Sequence, residues 1–134
     1  MNAPRILYVV FWKHLVPMLD ITTWSQVFIV CGATDLRKSF NGLCAIIKLS
    51  FNLDPYSRCM FVFCNRSRNL IKILQWDGSG LWLYIKKLDR GSFRWPMNAS
   101  EVKQISAREL RWLCEGLSLE QKNAFKDRHP TIVI

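Results

Sequence analysis

The chain has 134 residues and a mass of 15.7 kDa, with 19 Lys and Arg against 10 Asp and Glu and a formal charge of +9. Half of the residues are hydrophobic, with six Trp and eight Phe, which excludes low-complexity disorder and, at this length, a large multidomain enzyme. The basic excess favours a polyanionic partner such as nucleic acid.

In chain order, residues 6–12 form an apolar run behind a single Arg5. No small-residue cleavage site follows, and Lys13 and His14 interrupt the run well short of the ~20 residues a membrane span requires. The expectation is a cytoplasmic protein without membrane contact. Residues 1–17 read as an atypical N-terminal extension, with Met18 as an alternative start, and residues 18–134 as a single domain.

Residues 26–31 (Gln-Val-Phe-Ile-Val-Cys) predict a β-branched strand ending at Gly32. Thr34 and Asp35 predict a helix start, because short polar side chains accept bonds from unpaired backbone N–H groups. Leu36, Phe40, Leu43, Cys44 and Ile47 then form an apolar helical stripe, and Pro55 stops the helix before Asn52 and Asp54. From Cys59 onward the period changes to two. Residues 59–64, 70–76 and 81–88 predict strands, separated by Asn65-Arg66-Ser67-Arg68 and Asp77-Gly78-Ser79-Gly80, which have turn chemistry. Asp89-Arg90-Gly91-Ser92 gives a third turn, and Phe93-Arg94-Trp95 a short last strand stopped by Pro96. Ser106 and Glu109 match a capping box ahead of Leu110, Leu113 and Cys114, with Gly116 as the stop. Ser118 and Gln121 repeat the signal for a short final helix. The fold class expected is α+β: a strand and helix, an antiparallel meander of three to four strands, and one or two C-terminal helices.

Charge is concentrated in the meander. Residues 58–94 hold eight basic and two acidic groups, +6 of the total +9. The basic groups are Arg58, Arg66, Arg68, Lys72, Lys86, Lys87, Arg90 and Arg94. If Trp76 pairs with Leu81, one face carries Leu70, Lys72, Leu74, Trp76, Leu81, Leu83, Ile85 and Lys87 and covers the helices. The other carries Ile71, Ile73, Gln75, Trp82, Tyr84 and Lys86 and is expected to stay open, with rings for stacking on unpaired bases beside cations for phosphates. The competing reading gives these aromatics to packing and the cations to solvated hairpin edges.

Five cysteines (Cys31, Cys44, Cys59, Cys64 and Cys114) form no C-x-x-C pair, and His14 and His129 lie at opposite ends of the chain. They read as reduced core residues, and neither a metal site nor a cofactor is expected. The carboxylates sit in turns or on amphipathic helices, and there is no G-x-S-x-G, phosphate loop or Cys/His dyad, so no catalytic residues are assigned.

The run Gly32-Ala33-Thr34-Asp35-Leu36-Arg37-Lys38-Ser39-Phe40-Asn41-Gly42-Leu43 resembles the opening signature of the small TnpB accessory proteins of the insertion-sequence sixty-six family of bacterial transposons. Residues 71–88, with Trp76, Asp77, Gly78 and Trp82, are similar to the second signature of that family. Arg90-Gly91-Ser92-Phe93-Arg94-Trp95-Pro96 resembles its third. Order and spacing match, from about residue 25 to residue 117. Leu36, Ser39, Asn41 and Gln75 depart from the family pattern.

The resemblance implies a non-catalytic helper in DNA transposition, encoded beside a larger transposase and another accessory protein, and it favours Met18 as the usual start. On this reading the partners are DNA at the transposon ends and the transposase. The residues expected to contact DNA are Arg37, Lys38, Arg66, Arg68, Lys72, Trp82, Tyr84, Lys86, Lys87, Arg90 and Arg94, with Thr34, Asp35, Trp76, Asp77, Gly78, Gly91, Trp95 and Pro96 as signature positions. The alternatives are an assembly module that binds the transposase without touching DNA and, last, a metal nuclease centred on Asp35 and Asp77.

Overall fold

A computed structural model describes residues 26–98 and 100–123; the N-terminal extension, the Met18 start and the tail from residue 124 lie outside the described residues. Five strands form one mixed sheet: β1 (Gln26–Val30), β2 (Cys59–Cys64), β3 (Leu70–Trp76), β4 (Leu81–Lys87) and β5 (Val102–Ile105), in the spatial order β4-β3-β2-β1-β5. The α+β class and the β2-β3-β4 meander match expectation, and so does the register, with Trp76 opposite Leu81.

The first strand departs from it. β1 lies inside the sheet, parallel to β2 and antiparallel to β5, so the sheet is mixed. A parallel pair needs a crossover long enough to return the chain to the same end, and the helix-bearing segment between Val30 and Cys59 provides it. β5 has no clear sequence signal: Val-Lys-Gln-Ile is short, and Lys103 and Gln104 are exposed. Conversely, Phe93, Arg94 and Trp95 form no strand. Phe93 and Trp95 are buried and Arg94 is exposed, a true period of two, but the Phe93 N–H donates to the Arg68 carbonyl (2.6 Å) in a turn.

The first helix, α1 (Phe40–Ala45), continues as a π-helical turn through Ile46–Ser50. It starts five residues later than Asp35, because the Asp35 carboxylate turns back on its own loop and accepts the Arg37 N–H at 3.1 Å. The end falls as expected: Asn52 adopts a left-handed φ of 53°. Leu36, Leu43, Cys44 and Ile47 cover Phe61, Phe63 and Leu74 on one face of the sheet, with Leu70, Leu81 and Leu83 at its margin.

The second face is covered over most of its length, leaving Trp82 48% exposed. The second helix, α2 (Ala107–Cys114), has the expected capping box, with the Glu109 N–H donated to Ser106 Oγ (3.1 Å) and the Ser106 N–H to the Glu109 carboxylate (2.9 Å). Its Leu110, Leu113 and Cys114 join Phe93 and Trp95 over Val27, Ile29, Met60, Val62, Ile71, Ile73 and Tyr84. Residues 118–121 make a local turn in place of a second helix. Packing on both faces produces two apolar clusters separated by the sheet. Cys31, Cys44, Cys64 and Cys114 are buried, Cys59 is partly buried, and all are free. Burial pushes the thiols of Cys64 and Cys114 up to about 12, so they stay protonated and unreactive.

Candidate nucleic-acid interface

The sheet has two ends of different character. At one, the carboxyl ends of β1, β2 and β4 meet the loops that follow them. The Thr34 N–H donates to the Cys64 carbonyl (2.8 Å), Gly32 N–H to Pro96 (2.8 Å), Leu88 N–H to Asn69 (2.8 Å), and the Trp95 indole to Val30 (3.1 Å). These bonds tie the first signature segment, the β2–β3 turn and the third signature segment into one surface. Local chemistry fixes the turn itself. The Asn65 side-chain oxygen accepts the N–H groups of Asn69 (3.0 Å) and Leu70 (3.1 Å), and Arg68 takes a left-handed φ of 56°.

Seven cations from four separate stretches project from this arginine-rich end: Arg37, Lys38, Arg66, Arg68, Lys87, Arg90 and Arg94, all exposed. The described residues give no hydrogen bond or ion pair to the side chains of Arg66, Arg68, Lys87, Arg90 or Arg94. Arg37 is different. Its guanidinium donates to both carboxylate oxygens of Asp35 (2.9 and 2.8 Å), which holds the Asp35 carboxyl well below the usual carboxylate range.

Four of the residues expected at the interface lie elsewhere or point inward. Lys72 is only 9% exposed, and its Nζ donates to the Lys38 carbonyl (2.9 Å). Its stem lies along the covered face while its charge finds an acceptor, the arrangement a buried ammonium requires. Lys86 donates to the Cys114 carbonyl (2.6 Å), a cation capping the end of α2. Tyr84 is buried, stacked on Trp82 with ring centroids 6.1 Å apart and 6° between planes, and burial pushes its phenol up. Trp82 is 48% exposed and lies at the opposite end of the sheet.

That opposite end carries the second signature. Asp77 closes the β3–β4 turn: its Oδ1 accepts the N–H groups of Ser79 (2.8 Å) and Gly80 (2.9 Å) and the Ser79 hydroxyl, while its Oδ2 accepts the Trp82 indole N–H (2.7 Å). These bonds hold its carboxyl well below the usual range. Gly78 has a φ of 101°, which a side chain rarely adopts. The Tyr56 ring meets Trp76 edge-on at 5.3 Å, and Lys48 lies 4.7 Å over the Tyr56 ring. Asp35 and Asp77 are thus separated by the length of a strand, roughly 20 Å at ~3.3 Å per residue, and cannot share a metal ion. Among the described residues no group of three or more His, Cys, Asp or Glu could hold a metal, and no helix is long and apolar enough to cross a membrane.

Sequence pattern does not reveal a cleft of about 480 Å³ at the arginine-rich end, between residues 33–37 and the β2–β3 turn. Nothing in either stretch alone signals it, because the Thr34–Cys64 bond that forms it joins residues thirty positions apart.

Residues 25–124 match the family model described as IS66 Orf2 like protein, and the chain belongs to that family, the TnpB proteins of these insertion sequences. It is similar to two uncharacterized proteins of Sinorhizobium fredii (strain NBRC 101917 / NGR234). Identity to y4hO is 37% over 92 residues, covering 69% of this chain and 80% of the relative. Identity to y4jC is 29% over 108 residues, covering 81% of this chain and 92% of the relative. No solved structure matches.

Proposed function

We propose that this protein is a non-catalytic accessory factor of DNA transposition, acting in the cytoplasm, that holds DNA through the arginine-rich end of its sheet. The observation that carries the reading is that backbone hydrogen bonds bring the first signature, the β2–β3 turn, the end of β4 and the third signature to one end of the sheet, and that these segments carry seven exposed cations. Folding alone does not call for it, since like charges brought together repel, whereas a phosphate backbone is stabilised by them. The phosphate contacts fall to Lys38, Arg66, Arg68, Lys87, Arg90 and Arg94, with Arg37 reaching outward from its carboxylate partner. Lys72 and Lys86 support the frame from inside, and Tyr84 backs Trp82.

The test is a fluorescence-anisotropy titration of transposon-end DNA across a salt series. Wild type is expected to lose affinity linearly in log–log form as salt rises. The Arg66→Ala, Arg68→Ala, Arg90→Ala, Arg94→Ala quadruple variant is expected to have a slope shallower by roughly 3–4, close to one for each phosphate that is no longer neutralised. A flat salt response in wild type overturns the reading.

The other end of the sheet supports a second, compatible contact. Trp82 (48% exposed) and Tyr56 (45% exposed) offer aromatic surface suited to a protein partner, and the transposase is the candidate. Co-purification with the transposase, abolished in Trp82→Ala while DNA binding persists, is the expected result.

A further inference from the structure

We propose that the cleft at the arginine-rich end receives one unpaired nucleotide of the DNA strand, an inference that rests on the DNA-binding reading and gives it a specific site. The cleft lies at the carboxyl ends of β1 and β2, the parallel pair, between the loops that leave the two strands. Its two walls are pinned together by the Thr34 N–H bond to the Cys64 carbonyl, so the space is preformed. The Asn65 amide is engaged within its own turn and shapes the wall without reading a ligand.

Size and charge narrow the occupant. About 480 Å³ is within the range of roughly 300–1,000 Å³ that small-molecule sites fill, and far more than a lone phosphate needs. Ala33, Leu36 and Leu70 line it with apolar surface suited to a base. The Asp35 carboxylate can accept from an exocyclic amine or a sugar hydroxyl, and the Ser67 hydroxyl adds a small polar group. Asp35 is neutralised by Arg37, which leaves Arg66 as the uncompensated charge in the lining. One positive charge matches one phosphodiester and is poorly matched to the several negative charges of a free nucleoside triphosphate. Arg68, in the same turn as Arg66, and Arg90 and Arg94, exposed on segments bonded to the same end of the sheet, supply further positive charge for the adjoining phosphates.

Two measurements on the full chain test this separately from DNA binding. In an amide NMR titration, 2′-deoxyadenosine 5′-monophosphate is expected to move the resonances of Ala33, Thr34, Asp35, Arg66 and Ser67, and inorganic phosphate at the same concentration is not. No movement there, or the same movement with phosphate, overturns the proposal. In anisotropy, a duplex with a one-nucleotide overhang is expected to bind about tenfold tighter than the blunt duplex, a modest return for one base contact. Ala33→Trp and Ser67→Trp, at exposed positions on opposite walls, are each expected to bring that ratio near one while leaving blunt-duplex affinity intact. A ratio unchanged in both variants overturns the nucleotide site. If blunt duplex is not bound by wild type at any salt concentration, the DNA-binding reading fails instead, and the mononucleotide titration still reports on the cleft.

Discussion

Both ends of the sheet are built from hairpin turns and signature residues, but they use their polar groups in opposite ways. At the tryptophan-rich end, both oxygens of Asp77 are taken by the turn and by Trp82, and Gly78 is there for its backbone angle. The Asp77-Gly78 part of the motif at that position is explained by folding alone. At the arginine-rich end, backbone and amide groups are likewise satisfied, by Asn65, Thr34 and Pro96, but apart from Arg37 on Asp35 the exposed guanidinium groups of Arg66, Arg68, Arg90 and Arg94 are engaged by no described residue. The lesson is that similarity to a signature does not separate polar groups that the fold itself engages from those it leaves unengaged. The side-chain bonding does.

The strongest way to break this contrast is to remove the frame. Trp95 is buried, packs under α2 and donates to the Val30 carbonyl, joining the third signature to β1. Trp95→Ala is expected to cost about 3–5 kcal/mol in chemical denaturation, a large part of the marginal stability of a small domain. A loss below about 1 kcal/mol would show that the two segments do not depend on each other. Next comes a functional contrast between the ends. The quadruple arginine variant is expected to weaken DNA binding by roughly a hundredfold or more at moderate salt, whereas Lys48→Ala, at the other end, leaves affinity and salt slope near wild type. Equal losses in both would mean that charge acts globally and the arginine-rich end is not a site.

Much of this frame is legible in the sequence, and the reason is local. Asn65-Arg66-Ser67-Arg68 and Asp77-Gly78-Ser79-Gly80 specify their turns within a few residues, so the limits of β2 and β3 and the Trp76–Leu81 register follow from them. Leu36, Leu43, Cys44 and Ile47 reveal the buried stripe of α1 by their spacing, although Asp35 bonds its own loop and delays the helix. What the sequence hides depends on distant partners. The place of β1 beside both β2 and β5 is not encoded in its own five residues. Lys72 and Lys86 look like surface cations until their acceptors, the carbonyls of Lys38 and Cys114, are seen 34 and 28 residues away. The second face looks open until α2 and Trp95 are laid over Ile71, Ile73 and Tyr84.

Lys86 allows the sorting of cations to be tested directly. Lys86→Met keeps the stem and removes the charged donor at the end of α2. It is expected to cost about 1–3 kcal/mol in stability, with no change in the salt slope of DNA binding. A shallower slope with unchanged stability would move Lys86 to the DNA-contacting group.

The smallest expected effect is a pH dependence carried by the two carboxylates, one at each end. Asp35 and Asp77 both have native pKa values held below the unfolded value, by Arg37 in one case and by the turn donors in the other. A carboxylate depressed in the native state contributes stability that is fully present above its unfolded pKa, near 4, and is lost as pH falls below that toward the native value. Thermal stability is therefore expected to be flat with respect to these groups above about pH 5 and to decline below about pH 4. Asp77→Asn should flatten part of that decline and alter the emission of Trp82, whose indole the carboxylate holds. Asp35→Asn should flatten another part without touching that emission, because its partner is the exposed guanidinium of Arg37 at the far end of the sheet. A change in Trp82 emission on replacing Asp35 would mean that the two ends communicate, and their treatment as independent regions would fail.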